Sequence, residues 1–334
     1  MNIHSLPSQI FWEKTKKNEA RILRIYGTSP AAELPVQIEG CPVTELADYC
    51  FASDRHLPEH YCIFNAQKET NSTFSASAEL SGNYLQSVWL PDTVVKIGNY
   101  VFYNCKNLRQ ISFGQALSSI GSDIFMNCHQ LHQLYIRSSV SEKTGLQRML
   151  FQISWDVEAV FLTDDNGSCQ KEAAVFYPEY FELYDEIAPA HIFGRSISGE
   201  GFRARQSFKD GIIDFNQYDK IFKKACAEES AQTVCMLAFY RLFYPKDLSL
   251  QNKIQYENYI LANGKILCQY LIRNRQLDAL CFLFQQKLLS GQSVPNVLAM
   301  AVQAGWREGS AAILRWKQTC YPDKKRTRYE FEDF

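Results

Sequence analysis

Three residues with metal-binding side chains lie close together at Cys128, His129 and His132. Zinc accepts thiolate and imidazole ligands, but a site needs three or four of them, usually drawn from two clusters. The sequence offers no second cluster. Cys128 also occupies the same place in a repeated phrase as Cys105, which favours a packing role. We therefore predict no metal site and no cofactor.

Covalent catalysis by a cysteine would need a thiolate beside a base in a cleft. With eleven cysteines and six histidines, such pairs arise by chance, and none has a recognisable local signature. The neighbouring carboxylates Glu179, Glu182, Asp185 and Glu186 favour a solvated face over an acid–base pair. The sequence predicts a protein that is not an enzyme.

A glycine-rich stretch, GRSISGEGFRAR, carries Arg195, Arg203 and Arg205. Backbone amides and a nearby cation could hold a phosphate there, so these arginines form a weak candidate anion site. The GK[ST] phosphate-binding signature is absent. The alternative is a turn between domains, whose arginines form salt bridges with the acidic text YPEYFELYDE.

Three segments, LQSVWL, LRQISF and LHQLYI, alternate apolar and polar residues as half-buried strands do. Their outward side chains fall into rows across the strands. The rows include Trp, Tyr and Arg, the residue types that most often anchor protein interfaces. The predicted partner-binding residues are Glu33, Trp89, Ser112 and Tyr135 in one row and Gln86, Arg109 and His132 in the other. Only six charged residues occur in 81–140, so this face would recognise a protein by shape. The alternative is that the helical half covers it.

These segments belong to a repeat. The phrase IGNYVFYNC (97–105) returns as IGSDIFMNC (120–128), 23 residues later. A fixed period of this length is typical of stacked units that bury a shared core. The stack predicts that Phe102 and Phe125 lie one above the other.

The full pattern, L-x-x-V/I-x-L-P-x-x-[VL]-x-x-I-G-x-x-x-F-x-x-C, resembles the BspA-like class of leucine-rich repeat. The resemblance spans about residues 20–165 and includes a degenerate first unit in 32–51. It implies a solenoid of short parallel strands. Family members are often secreted or surface-anchored, but the N-terminus shows no leader and the eleven cysteines include no CxxC pair. These features predict a cytoplasmic location.

From about residue 214 apolar residues recur at three-and-four spacing, which predicts helices. Breaks are expected at Pro245, Gly264, Gly291, Gly305 and Pro322. Two pieces, LIRNRQLDALCFLF and AVQAGWREGSAAILRW, resemble the paired short helices of ankyrin repeats. The predicted fold class is α+β, a leucine-rich-repeat solenoid followed by an all-α ankyrin-like domain.

The predicted organisation has five parts, with an inserted loop and a strand cap inside the second. The ranges are 1–19 as a lead-in, 20–185 as the repeat domain with an insertion near 58–80 and a cap near 157–185, 186–213 as a junction, 214–322 as the helical domain, and 323–334 as a charged tail.

Composition narrows the function further. The net charge is -1, and no stretch approaches 18 consecutive apolar residues, so we predict neither nucleic-acid nor membrane binding. The leading hypothesis is a non-catalytic scaffold that binds a protein through the strand face. The alternatives are a regulatory or assembly subunit that binds through its helices, and an enzyme with a site at 186–213.

Overall fold

The structure is a computed structural model that describes residues 5–53, 57–66, 77–165, 168–187 and 192–320. It divides into two compact units, Met1–Glu228 and Glu229–Phe334. The first contains the β-strands, and the described part of the second is helical. The fold class is therefore α+β, as the sequence predicts.

Two large sheets build the first unit. One has the strand order β14-β13-β12-β10-β8-β3, and the other runs β11-β9-β5-β2-β1-β6, with β4 beside β5 and β7 beside β2. Their strands are β1 (Gln9–Lys14), β2 (Ala20–Gly27), β3 (Ala31–Glu33), β4 (Gln37–Ile38), β5 (Cys41–Leu46), β6 (Cys62–Asn65), β7 (Ala78–Glu79), β8 (Ser87–Trp89), β9 (Lys96–Ile97), β10 (Gln110–Gly114), β11 (Ser119–Ile120), β12 (Gln133–Arg137), β13 (Val157–Asp165) and β14 (Ser168–Tyr177).

The coils of a β-solenoid run through residues 20–162, with about five turns. Strands β8, β10 and β12 pair in parallel, so that Ser87, Gln110 and Gln133 are direct neighbours, each 23 residues after the last. Strand β3 joins the same sheet with Glu33 opposite Trp89. The repeat period therefore becomes the register of the sheet.

A phenylalanine ladder fills the centre of the coils. The Phe51 and Phe102 rings stack at 5.1 Å, and the Phe102 and Phe125 rings stack at 5.7 Å, with both pairs 15° from parallel. All three side chains are buried. Offset-stacked rings at these separations are favourable beyond the apolar area that they bury. The predicted stacking of Phe102 on Phe125 is confirmed.

Glycine allows the coils to approach closely. A Cβ added at Gly121 would lie 2.4 Å from the carbonyl oxygen of Gly98, and one added at Gly98 would lie 2.6 Å from the backbone nitrogen of Asp48. Because these neighbours are backbone atoms, no side-chain rotation could relieve the overlap. The glycine of the repeated Ile-Gly step is thus required by the coil spacing.

The segment predicted as an inserted loop, 58–80, contains strands where the structure describes it. Strand β6 pairs antiparallel with β1, and β7 pairs antiparallel with β2. Strand β6 is thus an end strand of the second sheet, and β7 extends the sheet beside β2. Residues 67–76 lie outside the described residues.

The remaining elements of the first unit follow the coils. Strand β14 pairs antiparallel with β13 at the edge of the first sheet. After it come two separate two-stranded sheets. The elements are α1 (Leu146–Leu150), β15 (Phe181–Ile187), β16 (Ile192–Ser198), α2 (Gly201–Ala204), β17 (Phe208–Lys209), β18 (Ile212–Ile213), α3 (Phe215–Lys220) and α4 (Phe222–Glu228).

The division between the units falls after Glu228, not in the predicted junction 186–213. Helix α3 explains the difference. The Tyr218 hydroxyl donates a hydrogen bond to the carbonyl of Phe176, and the Tyr218 ring meets that of Tyr177 edge-on at 6.0 Å. These contacts join the first predicted helices to strand β14.

Five α-helices form the described part of the second unit. Ser230 and Ser249 cap the first two, each accepting a hydrogen bond from the backbone three residues on. Later, the Phe284 ring stacks on Trp316 at 4.3 Å. The helices are α5 (Ala231–Phe243), α6 (Leu250–Arg273), α7 (Leu277–Gln285), α8 (Val294–Gln303) and α9 (Arg307–Cys320), with a 3₁₀ turn at Gly291–Ser293.

The break predicted at Gly264 is wrong. Helix α6 is 24 residues long and runs through Gly264 without a break. Gly264 is buried, and a Cβ added there would lie 2.8 Å from the Leu289 side chain. A small residue at a tight helix contact explains the glycine without a break. Such a long helix also departs from a short-helix pair, and the ankyrin-like prediction for this half is not confirmed.

Candidate functional site

The first predicted row of outward residues lies in register on the first sheet. Glu33 pairs with Trp89, Trp89 with Ser112, and Ser112 with Tyr135. Neighbouring strands lie about 4.8 Å apart. The four side chains therefore stand on one line across the strands, which we call the strand face.

Trp89 and Tyr135 meet over the small residue between them. Their ring centroids are 5.9 Å apart although the residues sit two strands apart. Ser112 leaves the space that the two rings close, and it is itself buried. Ser112, predicted as a contact residue, is therefore inaccessible, whereas both rings remain partly exposed.

Arg137, which was not among the predicted contact residues, completes this cluster. Its Nε donates to Asp92 at 2.8 Å, and its terminal nitrogens donate to the Ser112 hydroxyl and the Leu90 carbonyl. Its guanidinium lies 5.3 Å from the centre of the Trp89 ring. Arg137 follows Tyr135 by two positions in β12, so strand alternation would have placed it on the same face.

The Tyr135 hydroxyl is held as well. It donates to Gln133 at 3.1 Å, and the Gln133 amide donates to Glu158 on the next strand at 3.0 Å. Burial, with a smaller effect from Glu158, raises the pKa of the Tyr135 phenol. The tyrosine is therefore a neutral donor, and its ring is fixed before any partner arrives.

The second predicted row lies beside the strands, not within them. Gln86, Arg109 and His132 each precede the first residue of a strand, and all three are exposed. The His132 ring Nδ1 lies 2.9 Å from the Asp156 carbonyl oxygen. This row forms an accessible rim along one side of the strand face.

A cavity of about 490 Å³ adjoins the other end of the strand face. Arg137 belongs to both, so the cavity and the aromatic cluster share a wall. The exposed Asp92 and Asp164 give it an acidic rim. Its lining consists of Asp92, Arg137, Ser138, Leu162, Thr163, Asp164 and Cys169.

The residues considered as metal ligands diverge. The Cys128 thiol donates to the Phe102 carbonyl at 2.9 Å, and burial raises its pKa to about 12. His129 instead packs edge-on against Trp155 at 5.0 Å. Among the residues that the structure describes, no three His, Cys, Asp or Glu side chains are grouped to hold a metal.

The three arginines of the candidate anion site have protein partners. Arg195 forms a salt bridge with Glu182 at 2.6 Å, and Arg203 is paired with the buried Glu200. Arg205 is itself buried and donates to the Trp155 and Gly201 carbonyls at 2.7 and 2.9 Å.

Burial lowers the pKa of Arg205 to about 10, so it stays charged at neutral pH. These arginines thus form salt bridges and hydrogen bonds within the protein. The salt bridge of Arg195 to the acidic strand is the alternative that the sequence left open.

Comparison with known proteins identifies the repeat. Residues 77–154 match the family model described as the BspA type leucine rich repeat region (6 copies). The match lies within the part of the chain, about residues 20–165, for which the sequence predicts this repeat. A search of the curated proteins gave no match.

Two similar solved structures are both bacterial leucine-rich repeat proteins. One is a leucine rich cell surface protein from Faecalibacterium prausnitzii, 19% identical over 41% of this chain and 38% of that chain, with a TM-score of 0.25. The other is a T. pallidum leucine rich repeat protein, 22% identical over 40% of this chain and 72% of that chain, with a TM-score of 0.21. The chain thus spans about two fifths of the first protein's length.

Across the helices in the described ranges, none combines the length and the apolar character needed to cross a membrane.

Proposed function

We propose that the protein is a non-catalytic interaction scaffold that binds a protein partner through the strand face. The observation that carries the proposal is the cluster of Trp89, Tyr135 and Arg137, whose rings and guanidinium contact one another on parallel strands. Trp, Tyr and Arg dominate the binding energy of protein interfaces. The exposed rim of Gln86, Arg109 and His132 would surround this anchor with polar contacts.

Pre-organisation supports the proposal. The Arg137 side chain is fixed by three hydrogen-bond acceptors, and Tyr135 by Gln133. Immobilising a flexible side chain on binding costs about 0.5–1.5 kcal/mol. Here the side chains are already immobilised when the protein folds, so binding a partner would not add this cost.

We propose a cytoplasmic location on the state of the thiols. Ten of the eleven cysteines, those whose side chains the structure describes, are free, and among these ten Cys62, Cys169 and Cys226 are exposed. Exposed free thiols persist in compartments that keep cysteine reduced. Recovery of the native protein with intermolecular disulfides would contradict this location.

The test of the binding surface is capture of partners from the native host with the wild-type protein and with Trp89→Ala and Tyr135→Ala. We expect both variants to lose the captured protein while their thermal unfolding stays cooperative. The matched control is Phe151→Ala, which removes another aromatic ring, 49% exposed, from outside the strands. Retention of the partner by Trp89→Ala, or its loss from Phe151→Ala, would contradict the proposal.

A second candidate is a regulatory subunit that binds through helix α6. Leu250, Ile254 and Leu261 are 73%, 48% and 52% exposed, and their four- and seven-residue spacings place them on one helix face. Partner loss in Ile254→Ser, with binding intact in Trp89→Ala, would favour this candidate.

A further inference from the structure

The hairpin formed by β15 and β16 exposes an unusual amount of apolar surface. Phe181 is 57% exposed, Leu183 56%, Tyr184 64% and Ile197 37%. Monomeric proteins rarely leave large apolar side chains clustered in water, and such clusters usually mark binding surfaces. Four of them within two short strands make this hairpin a candidate interaction element.

The hairpin also stands apart from the large sheets. Within the described residues, β15 and β16 pair only with each other, from Phe181 opposite Ser198 to Ile187 opposite Ile192. An isolated two-stranded hairpin is only marginally stable in water, and a third strand stabilises it. Each outer edge therefore presents backbone donors and acceptors to which a strand could be added.

The two faces of the hairpin differ in character. Alternation places Phe181 and Leu183 on one face, opposite Ser196 and Ser198, all exposed. The other face carries Tyr184, whose hydroxyl donates to Glu182 at 3.0 Å, and Glu182 in turn binds Arg195 at 2.6 Å. Around Phe181 and Leu183 the first face is apolar and open, whereas the second is fixed by cross-strand contacts.

Charge distinguishes the two edges. The text of β15 and the residues just before it hold four carboxylates, at Glu179, Glu182, Asp185 and Glu186, with no basic residue. Strand β16 holds a single charge, Arg195, which is already paired. Two copies joined along β15 would place two acidic strand sequences side by side, and like charges on facing strands are unfavourable.

We propose that the free edge of β15 accepts, as an added strand, an extended segment of a partner protein that alternates basic and apolar residues. Backbone hydrogen bonds give such strand addition its affinity, and alternate side chains give it specificity. The apolar residues of the segment cover Phe181 and Leu183, and the acidic sequence of β15 favours lysine or arginine at the alternate positions. This surface is separate in sequence from the strand face and goes beyond the scaffold function proposed above.

The test uses the full chain and a fluorescein-labelled nine-residue peptide of alternating lysine and valine, with binding followed by fluorescence anisotropy. We expect saturable binding that weakens as salt rises, because exposed charges are screened. A peptide with glutamate in place of lysine should not bind. Equal binding of the two peptides would overturn the proposal, since it would show apolar adhesion alone.

Two protein variants locate the site. Leu183→Ser should weaken lysine-peptide binding about tenfold, because it removes a large apolar contact. The matched control, Leu250→Ser, makes the same change at a side chain that is 73% exposed in α6 and should leave binding unchanged. Equal affinities of the two variants would contradict the assignment to β15.

Amide hydrogen exchange with the peptide bound supplies an independent reading. Protection should appear in 181–187 and exceed that in 192–198. Protection confined to other strands would overturn the proposal. So would a concentration-dependent dimer, seen by sedimentation of the wild-type chain and lost in Leu183→Ser, because a second copy would then be the occupant.

Discussion

The stacked coils and the helical unit bury their aromatic residues in different ways. In the coils, Phe51, Phe102 and Phe125 occupy one column and stack on each other. In the helices, Phe239 contacts Phe243 and Phe282 at changing angles, and no column repeats. Equivalent positions in successive coils therefore have the same packing environment, whereas each aromatic residue in the helices has a different one.

This difference has a consequence for function. The 23-residue register that stacks the phenylalanines in the turns also aligns the outward residues of β8, β10 and β12, so Trp89 and Tyr135 have positions set by the same repeat. The helices in the described ranges offer no such row. If the proposed binding surface is the strand face, the coils present it rigidly.

The largest expected effect comes from Phe102→Ala. The ring packs between two others, so its removal should lower the stability of the coils by about 3–5 kcal/mol. Amide hydrogen exchange in 85–136 would measure the loss region by region. The matched variant in the helical unit, Phe284→Ala, should leave exchange in 85–136 near its wild-type rate. If Phe102→Ala affected only its own coil, the columns would not act as one cooperative stack.

Glycine substitutions should separate the two regions more sharply. Gly121→Ala forces a Cβ against the backbone of the preceding coil and should cost about 1–3 kcal/mol. Gly264→Ala meets only the end of the Leu289 side chain, and a gain in helix propensity of about 1 kcal/mol offsets the contact. Urea denaturation of both variants measures the difference. Equal destabilisation would contradict the distinction between backbone and side-chain contacts.

The coils and the helical unit should lose stability in the same way at alkaline pH. Burial raises the pKa of Cys128 in the coils and of Cys268 in the helices to about 12. The unfolded thiol titrates near 8.5, so above this pH the unfolded state releases a proton that the folded state keeps. Stability therefore falls as pH rises, until the folded pKa is reached.

The thiol contribution can be isolated by substitution. Between pH 8 and 9.5, Cys128→Ala and Cys268→Ala should each reduce the loss of stability by about 1 kcal/mol relative to wild type. Denaturant midpoints at the two pH values provide the measurement, and Cys169→Ala, at an exposed thiol, is the control. An unchanged pH dependence in both core variants would show that these thiols are not buried.

The sequence predicts the coils well because their period appears directly as a repeated sequence motif. Identical phrases 23 residues apart fix the columns of Phe102 and Phe125 and hence the strand register. Arg137 was missed because it follows the last strand segment compared, although alternation puts it on the same face as Tyr135. Ser112 was misjudged because strand alternation gives the face of a residue but not its exposure. Its side chain is small, so the larger rings of Trp89 and Tyr135 cover it.

The helical half is harder to predict because its signals are ambiguous. Gly264 is typical of a helix end in sequence, yet it lies inside α6, where a small residue packs beside Leu289. The position of the unit boundary was missed because the contact of Tyr218 with Phe176 joins residues 42 apart. Nothing in the local text encodes such a contact.

The most direct test of the strand face as a binding surface is photo-cross-linking in the native host. A photo-reactive amino acid is placed at Arg109, on the rim of the strand face, and separately at Val95, which is 41% exposed and lies off that face. We expect a discrete cross-linked protein from position 109 that disappears in the Trp89→Ala background, and none from position 95. A cross-linked protein from position 95 alone, or one from position 109 that survives Trp89→Ala, would contradict it.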